Sequence, residues 1–432
     1  MAKPPDQSPP AAKVPKYVDY DRGLRLIPEL LSAGRLDDAK RWAKRVVQAQ
    51  PMDPRAWNQL ALVEARQSRF AGAATVSKIA SIIEPGAADL MVNRGNVTRM
   101  LGRQEDALRL FRRAQTIRPD DPEIDVAVAL QLLTLGDYET GLELYERRWS
   151  RRTSLEGLAA HGVPAWDGDV DSVKRIVCVS EQGAGDAIQF VRYAETLNAA
   201  GVDVLVYCDE PLLRLLGSAK GVARATKRFR PGSVDAAEMI MSLPYRLGMP
   251  GNDGQGPGRY IEPPAHPYRI PRHDGRPRVG VCWAGNPNHR RDLQRSCPFA
   301  DMSALFEVGG IDFYSLQVGP GAEAAHGDPR IVALDDKISD FADTAGLIDQ
   351  LDLVITIDSA VAHMAGALNR PCWVLLHWMA DWRWGQTGST TVWYPSVRLE
   401  RRAMAEDWSS FMPSVAARLA TWRDGWSEGA SG

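Results

Sequence analysis

Residues 88–119, ADLMVNRGNVTRMLGRQEDALRLFRRAQTIRP, belong to a pattern that returns every 34 residues along the first third of the chain. At that offset the same kinds of residue line up in columns. The columns are prolines (Pro51, Pro85, Pro119), alanines continued by a glycine (Ala39, Ala73, Ala107, Gly141) and small residues (Gly34, Ser68, Gly102, Gly136). In each unit the small residue closes a helix-to-helix turn, the alanine lets the second helix approach the first, and the proline ends the second helix.

This is the pattern of a tetratricopeptide repeat. Its signature positions are filled in two successive units by Trp57, Leu60, Ala61, Ala73, Ala80 and Pro85, and by Gly95, Ala107, Phe111, Ala114 and Pro119. Unrelated helices that share proline stops would not keep one register through four units. We therefore predict about four repeats over residues 17–152, forming a solenoid whose groove suits an extended peptide or a protein helix. Residues 1–16, rich in Pro, Lys and Ala, are predicted to be a disordered tail without the apolar segment of a secretion signal.

Composition excludes several classes of protein. The 52 basic and 54 acidic side chains give a net charge of -2, so nothing in the whole chain favours nucleic acid or an anionic membrane as a partner. The sequence contains no run of eighteen apolar residues, so no integral membrane segment is predicted. The five cysteines contain no CxxC pair, which argues against a zinc site and favours buried thiols in a reducing compartment. A cytoplasmic location is the resulting expectation.

After a linker at residues 153–172, strand-like apolar runs alternate with helical stretches, as in parallel βαβ units. A loop rich in Gly and Pro, at residues 248–277, divides the alternation into two series. We predict one α/β domain at residues 173–272 and a second at 273–404, followed by a helix at 405–424 and a flexible tail at 425–432. Two such sheets enclose a cleft, with binding sites at the carboxyl ends of their strands.

Three loops at predicted strand ends carry clusters of polar residues. The first runs from Glu181 to Asp186, the second from Trp283 to Ser296, and the third from Asp358 into the helix that reaches Ala367. Because these loops occupy equivalent topological positions, they predict one shared site.

From Arg175 to Trp422 the chain resembles the bacterial glycosyltransferases related to ADP-heptose:lipopolysaccharide heptosyltransferases, in the branch that carries N-terminal tetratricopeptide repeats. The matching segments are Gly185-Asp186, Trp283-Ala284-Gly285 with His289 and Arg295-Ser296, Asp340 to Asp343, Asp358-Ser359 with His363, Asp381-Trp382-Arg383-Trp384, Trp393-Tyr394-Pro395 with Arg398-Leu399, and Asp407-Trp408. Ser359 departs from the family's usual Thr but keeps the hydroxyl.

The resemblance implies a GT-B fold of two Rossmann-like domains and a nucleotide-sugar donor used as cosubstrate without a metal. Some members of the family glycosylate flagellin in the cytoplasm, with the repeats holding the flagellin. This chain is therefore expected to have a protein acceptor, with flagellin as the leading candidate.

The start of the helix after Asp358 is a candidate site for the donor phosphates. Backbone amides over Ser359, Ala360 and the next residues lack partners within the helix, and the helix dipole favours an anion there. His363 lies one turn further along the same face. The alternative is that Asp358 is only a helix cap and Ser359 only a first-turn residue.

The loop after the Trp283 strand is rich in cationic side chains. Arg295 is the candidate diphosphate clamp, since a guanidinium bonds two oxygens at once. His289, Arg290 and Ser296 are grouped with it as donor-binding residues, and His289 is placed to donate to the leaving phosphate or the sugar. The alternative is a solvated basic loop.

Asp186 is the candidate catalytic base by the family resemblance, and the alternative role is again a helix cap. Gly183 and Gly185 would let backbone or acceptor approach closely. Further candidate contacts to donor or acceptor are Gln182, Gln317, Trp382 and Trp384, whereas most other tryptophans are expected to pack between domains.

Three functions remain open at the level of sequence. The first is O-glycosylation of flagellin Ser or Thr by an enzyme whose repeats hold the acceptor. The second is assembly of a lipopolysaccharide or capsular glycan, and the third is an inactive binding scaffold. The sequence does not distinguish ADP-heptose, a CMP-nonulosonate and UDP-N-acetylglucosamine as donor. No GxGxxG fingerprint or Walker lysine indicates a bound nicotinamide cofactor or ATP hydrolysis.

Overall fold

The computed structural model describes residues 19–151, 162–248, 258–273, 275–287, 292–404 and 406–427. The chain divides into two compact units, Met1–Arg148 and Trp149–Gly432. The predicted tail at residues 1–16, residues 428–432 of the predicted C-terminal tail, and the predicted site residues His289 and Arg290 lie outside the described residues.

The first unit consists of four helical hairpins, in agreement with the predicted repeats. Its helices are α1 (Tyr20–Ser32), α2 (Leu36–Ala49), α3 (Pro54–Arg66), α4 (Phe70–Ile83), α5 (Ala88–Met100), α6 (Gln104–Ile117), α7 (Pro122–Leu135) and α8 (Tyr138–Tyr145). The small-residue column sits in the turns with left-handed backbone, at φ values of 69° for Gly34, 58° for Ser68, 75° for Gly102 and 87° for Gly136. That conformation ends a helix cheaply when the residue has no bulky side chain.

Small residues also set the distance between the helices of a hairpin. Ala39, Ala73 and Ala107 are completely buried. At Gly95 an added Cβ would lie 2.5 Å from the ring of Phe111, so only glycine lets α5 and α6 pack this closely. The residues of the periodic sequence signature are therefore those that form the contacts between helices.

The second unit contains two parallel sheets, as the predicted fold class requires. The first sheet has the strand order β3-β2-β1-β4. Its strands are β1 (Arg175–Val179), β2 (Asp203–Tyr207), β3 (Val222–Thr226) and β4 (Ala236–Met239). Its helices are α9 (Ala184–Phe190), α10 (Tyr193–Ala199), α11 (Leu213–Leu216) and α12 (Leu243–Leu247). The helical stretch after β1 consists of two helices, because the chain turns at Val191 and Arg192 between α9 and α10.

The second sheet is also fully parallel, with the order β10-β9-β8-β5-β6-β7. Its strands are β5 (Arg278–Cys282), β6 (Asp312–Ser315), β7 (Ile331–Ala333), β8 (Leu353–Ile357), β9 (Cys372–Leu376) and β10 (Val397–Arg401). Its helices are α13 (Asp292–Arg295), α14 (Phe299–Met302), α15 (Glu323–His326), α16 (Phe341–Ile348), α17 (Ala360–Ala367) and α18 (Trp408–Asp424). The central strand β8 is completely buried, as its uninterrupted apolar sequence predicts.

All five cysteines are buried and unpaired. Within the described residues, no helix combines the length and the apolar character that crossing a bilayer requires.

Candidate functional site

The turn that follows β1 holds Asp186 in a fixed position at the start of α9. Gln182 has a φ of 60°, a left-handed conformation that costs a residue with a side chain about 1 kcal/mol and that recurs at functional turns. Asp186 Oδ2 accepts a hydrogen bond of 2.9 Å from the Gly183 amide. The capping role that competed with catalysis is thus real, and it uses one oxygen of the carboxylate.

Helix α9 of the first sheet packs directly against α17 of the second. A Cβ added to Gly185 would lie 2.7 Å from Cδ2 of His363 and 3.7 Å from Cα of Ala360. Glycine is therefore required at position 185 for the two helix starts to meet. The structure brings the first and third predicted loops together by this contact.

The Ser359 hydroxyl caps α17, since it accepts from the Val361 amide at 3.3 Å and bonds the Thr356 hydroxyl at 3.1 Å. This occupies the side chain with local bonds. An anion at this helix start would accordingly be held by backbone amides, with the Ser359 side chain shaping the turn.

Arg295 connects the second predicted loop to the third. Its Nη1 donates to the backbone oxygen of Asp358 at 3.0 Å, and its Nε donates to Asp292 Oδ1 at 3.2 Å. Ser296 accepts a hydrogen bond of 3.2 Å from the Gly285 amide. The predicted clamp therefore lies at the carboxyl edge of the second sheet, beside the start of α17.

Gln317, at the carboxyl end of β6, holds the same loop from the other side. Its Oε1 accepts from the amides of Trp283 at 3.2 Å and Ala284 at 2.9 Å, and the side chain is buried. These bonds indicate a role in shaping the loop, where the sequence suggested a contact to a substrate.

Arg383 is the main residue of this site that the sequence reasoning did not select. Its guanidinium is 8% exposed and donates to Gln189 Oε1 at 2.7 Å, to Asp381 Oδ1 at 2.7 Å and to Asp186 Oδ1. It therefore links α9 of the first sheet to the segment after β9 of the second. The segment Asp381-Trp382-Arg383-Trp384 carries the family resemblance, but its sequence does not reveal that Arg383 pairs with a carboxylate on α9.

The two candidate tryptophans lie in the packing layer around this arginine. Trp384 is 1% exposed and stacks on the ring of His363, with ring centroids 5.1 Å apart. Trp382 packs against Phe190 and Trp393. Trp382 joins the two sheets through Phe190, and the burial of both rings leaves neither with an open face for a sugar or a base.

His363 is buried at the centre of this layer and is electrically neutral. Its Nδ1 is 2.8 Å from the Tyr394 hydroxyl. Burial, together with the nearby positive charge of Arg383, lowers the pKa of His363 to about 3. A neutral imidazole here can share a hydrogen bond, but it carries no charge to offer to a phosphate.

We expect this histidine to make the second unit sensitive to acid. Between pH 6.5 and 3 this histidine is protonated in the unfolded chain but neutral in the folded protein. The contribution of neutral His363 to the free energy of unfolding is therefore complete above pH 6.5 and falls as the pH drops. Lowering the pH from 7.5 to 5 should cost about 2 kcal/mol through this group. Urea unfolding at both pH values should show a smaller loss in His363→Asn than in wild type. Equal losses in the two proteins would contradict a neutral, buried His363.

The Asp358 carboxyl has an unusually high proton affinity. Burial and the adjacent Asp381 carboxylate raise its pKa to about 6, against the opposing effects of Arg295 and Arg383. The carboxylate thus occupies a site where its charge is costly, which is common in functional clefts.

The repeat unit carries a groove of its own. It has a volume of about 760 Å³ and is lined by residues of several hairpins, among them Arg55, Asn58, Asp89 and Arg118. Asn93 donates to the Asn58 carboxamide oxygen at 3.0 Å, so consecutive repeats are joined by polar side chains. A groove that combines apolar side chains with charges of both signs suits a peptide backbone and mixed side chains.

Comparison with known proteins supports the repeats and a similarity that spans most of the chain. The tetratricopeptide repeat family matches residues 24–81. Protein FlbA of Caulobacter vibrioides is 24% identical over 446 residues, covering 93% of this chain and 73% of FlbA. Among solved structures, a mutant of the Thermobaculum terrenum O-GlcNAc transferase aligns with 95% of this chain and 94% of its own at 16% identity and a TM-score of 0.34. MamA aligns with 31% of this chain and 77% of its own, at 16% identity and a TM-score of 0.28. The chain thus carries tetratricopeptide repeats and is similar to FlbA along most of its length.

Proposed function

We propose that this protein is a glycosyltransferase that moves a sugar from a nucleotide-sugar donor to a protein held by its repeats. The observation that carries the proposal is the meeting of α9 and α17. It brings a carboxylate, Asp186, to the carboxyl edge of the second sheet, where Arg295 and the start of α17 favour an anion. A base next to an anion site is what glycosyl transfer requires.

In this proposal the acceptor hydroxyl attacks the anomeric carbon of the donor sugar. A bond forms between the acceptor oxygen and that carbon, while the bond from the carbon to the donor phosphate breaks and its electron pair leaves with the phosphate. The acceptor proton passes to Asp186. Arg295 and the amides of α17 stabilise the charge that collects on the departing phosphate, and this needs no metal.

The repeat groove supplies the second half of the proposal. A soluble sugar acceptor would not require such an array, whereas a protein acceptor would be held by it and presented for several rounds of transfer. From the family resemblance we propose flagellin Ser or Thr as the acceptor. The donor is one of the three nucleotide sugars that the sequence leaves open.

The test is intact-mass spectrometry of flagellin incubated with the purified protein and, separately, with UDP-N-acetylglucosamine, ADP-heptose and a CMP-nonulosonate. We expect a mass increment with one donor, and its size identifies the sugar. Asp186→Asn should slow the increment by about 10²- to 10⁴-fold, the usual loss on removing a general base. Asp328→Asn is the matched control, because this carboxylate pairs with Arg330 at the amino end of β7. A wild-type enzyme that hydrolyses a donor but never modifies flagellin would move the assignment to glycan assembly.

A further inference from the structure

The Asp186 carboxylate is engaged at both of its oxygens. Oδ2 accepts from the Gly183 amide and Oδ1 accepts from Arg383. Each oxygen keeps a second lone pair, but a carboxylate paired with a guanidinium accepts a proton less readily than one that is not paired. Release of the bond to Arg383 would therefore strengthen Asp186 as the base of the proposed function, on which this inference rests.

Arg383 is the partner that can leave. The Gly183 bond is part of the turn that forms α9, and breaking it would cost the helix its cap. The Arg383 bond joins two side chains across 197 residues of sequence, and the guanidinium keeps Asp381 and Gln189 as partners when Asp186 is lost.

The surroundings of Arg383 are incompletely satisfied in a way that fits an additional ligand. Among the described residues, the buried Gln189 Nε2 has no hydrogen-bond partner, although Gln189 Oε1 accepts from Arg383. The guanidinium also acts electrostatically on Asp358 and on His363, which flank the start of α17. A cation and an unpaired amide donor thus lie together beside the helix start that favours an anion.

We propose that Arg383 bonds two anions in turn, the Asp186 carboxylate when no donor is bound and a donor phosphate when one is. Phosphate oxygens accept bidentate bonds from a guanidinium and are stronger competitors than a single carboxylate oxygen. Arrival of the donor then frees Asp186 Oδ1 for the acceptor hydroxyl. Asp186 is therefore the stronger base when there is a sugar to transfer.

This arrangement predicts a specific coupling between Asp186 and Arg383 in nucleotide binding. Titration calorimetry with UDP, ADP and CMP would be carried out on wild type, Asp186→Asn, Arg383→Met and the double variant of the full chain. We expect Asp186→Asn to bind one of these nucleotides about three- to tenfold tighter, because the guanidinium is no longer shared. Arg383→Met should bind that nucleotide at least about tenfold more weakly, and adding Asp186→Asn to this variant should not restore the lost affinity.

Asp186→Asn also removes a negative charge, and the double variant separates that general effect from the proposed one. Equal tightening in the presence and absence of Arg383 would overturn the inference, as would no tightening in either background. Arg383→Lys provides a second background if the methionine variant folds poorly, and it should also bind weakly, since a lysine cannot bond two phosphate oxygens in one plane. Arg330→Met, which loses a remote ion pair with Asp328, should bind like wild type.

The two levels of the argument fail separately. Wild-type protein that binds none of the three nucleotides contradicts the proposed function together with this inference. Wild-type protein that binds a nucleotide, with additive effects of the Asp186 and Arg383 variants, contradicts only the exchange of partners and leaves the transferase assignment standing.

Discussion

Arg192→Met is expected to lower the free energy of unfolding of the α/β unit by about 3 kcal/mol, and Arg192→Lys by at least as much. Arg192 is 4% exposed and makes no ion pair with a carboxylate in the described residues. Its three nitrogens donate to the backbone oxygen of Gln189 at 2.6 Å, the backbone oxygen of Trp393 at 2.8 Å and the Tyr260 hydroxyl at 3.1 Å. The guanidinium also lies over the rings of Tyr260, Trp393 and Tyr394.

Two effects oppose each other when this side chain is replaced by methionine. Removing a buried charge that has no counter-ion recovers its desolvation energy, which is several kcal/mol. Against that, two backbone oxygens and a hydroxyl lose charged donors worth about 1.5–3 kcal/mol each, although the Tyr260 hydroxyl keeps its bond of 3.0 Å to the Ile188 oxygen. Because the lost bonds number three and their acceptors are buried, we expect this second effect to be the larger one.

The lysine variant separates charge from geometry. A single ammonium cannot reach three acceptors that are spread around a planar fork, so it keeps the cost of burial without the bonds. Denaturant unfolding followed by tryptophan fluorescence reports on this unit, because ten of the thirteen tryptophans lie from Trp166 onward. Arg330→Met, at an exposed ion pair, should change stability by less than about 1 kcal/mol. Full stability of Arg192→Lys would show that positive charge alone is sufficient.

Features of the chain that depend on local sequence were predictable. The repeats are visible because each hairpin repeats the same contacts at the same spacing, and β1, β5 and β8 are visible because a buried parallel strand is apolar throughout. β3 and β10 were missed. Each lies at the edge of its sheet and contains charged residues, Arg224 in the first and Arg398, Glu400 and Arg401 in the second, so its sequence lacks the apolar run of a central strand.

Features that depend on contacts between distant segments were not predictable in the same way. Asp186 and Arg383 are 197 residues apart, and Arg192 and Trp393 are 201 apart, and no spacing rule connects such pairs. The Asp340 to Asp343 stretch illustrates the same limit. The family resemblance marks this stretch as a motif without indicating its partner. In the structure both carboxylates accept from Arg214, at 2.9 and 3.0 Å, which joins α16 to α11 across the two sheets.

Asp358→Asn is expected to stabilise the α/β unit by about 3 kcal/mol at pH 7.5. The folded site raises the pKa of Asp358 to about 6, so between pH 3.8 and 6 the folded protein binds more protons than the unfolded chain. Ionisation of the carboxyl therefore costs stability, and this cost is complete above pH 6 and absent below pH 3.8. The uncharged asparagine avoids it, and the gain should vanish when unfolding is measured near pH 3.5.

The same substitution should reduce glycosyl transfer by at least about tenfold, since a costly buried charge is retained where it serves the site. The charges of Asp381, Arg295 and Arg383 act on Asp358, so the Asp358 charge in turn attracts both guanidinium groups beside the start of α17. Stability and activity thus change in opposite directions, which a purely structural residue would not produce. Asp328→Asn, whose pKa is lowered by Arg330, should lose stability slightly and keep its activity. An Asp358→Asn protein that is more stable and fully active would show that the charge contributes nothing to transfer, and the anion site would then depend on Arg295, Arg383 and the backbone amides of α17.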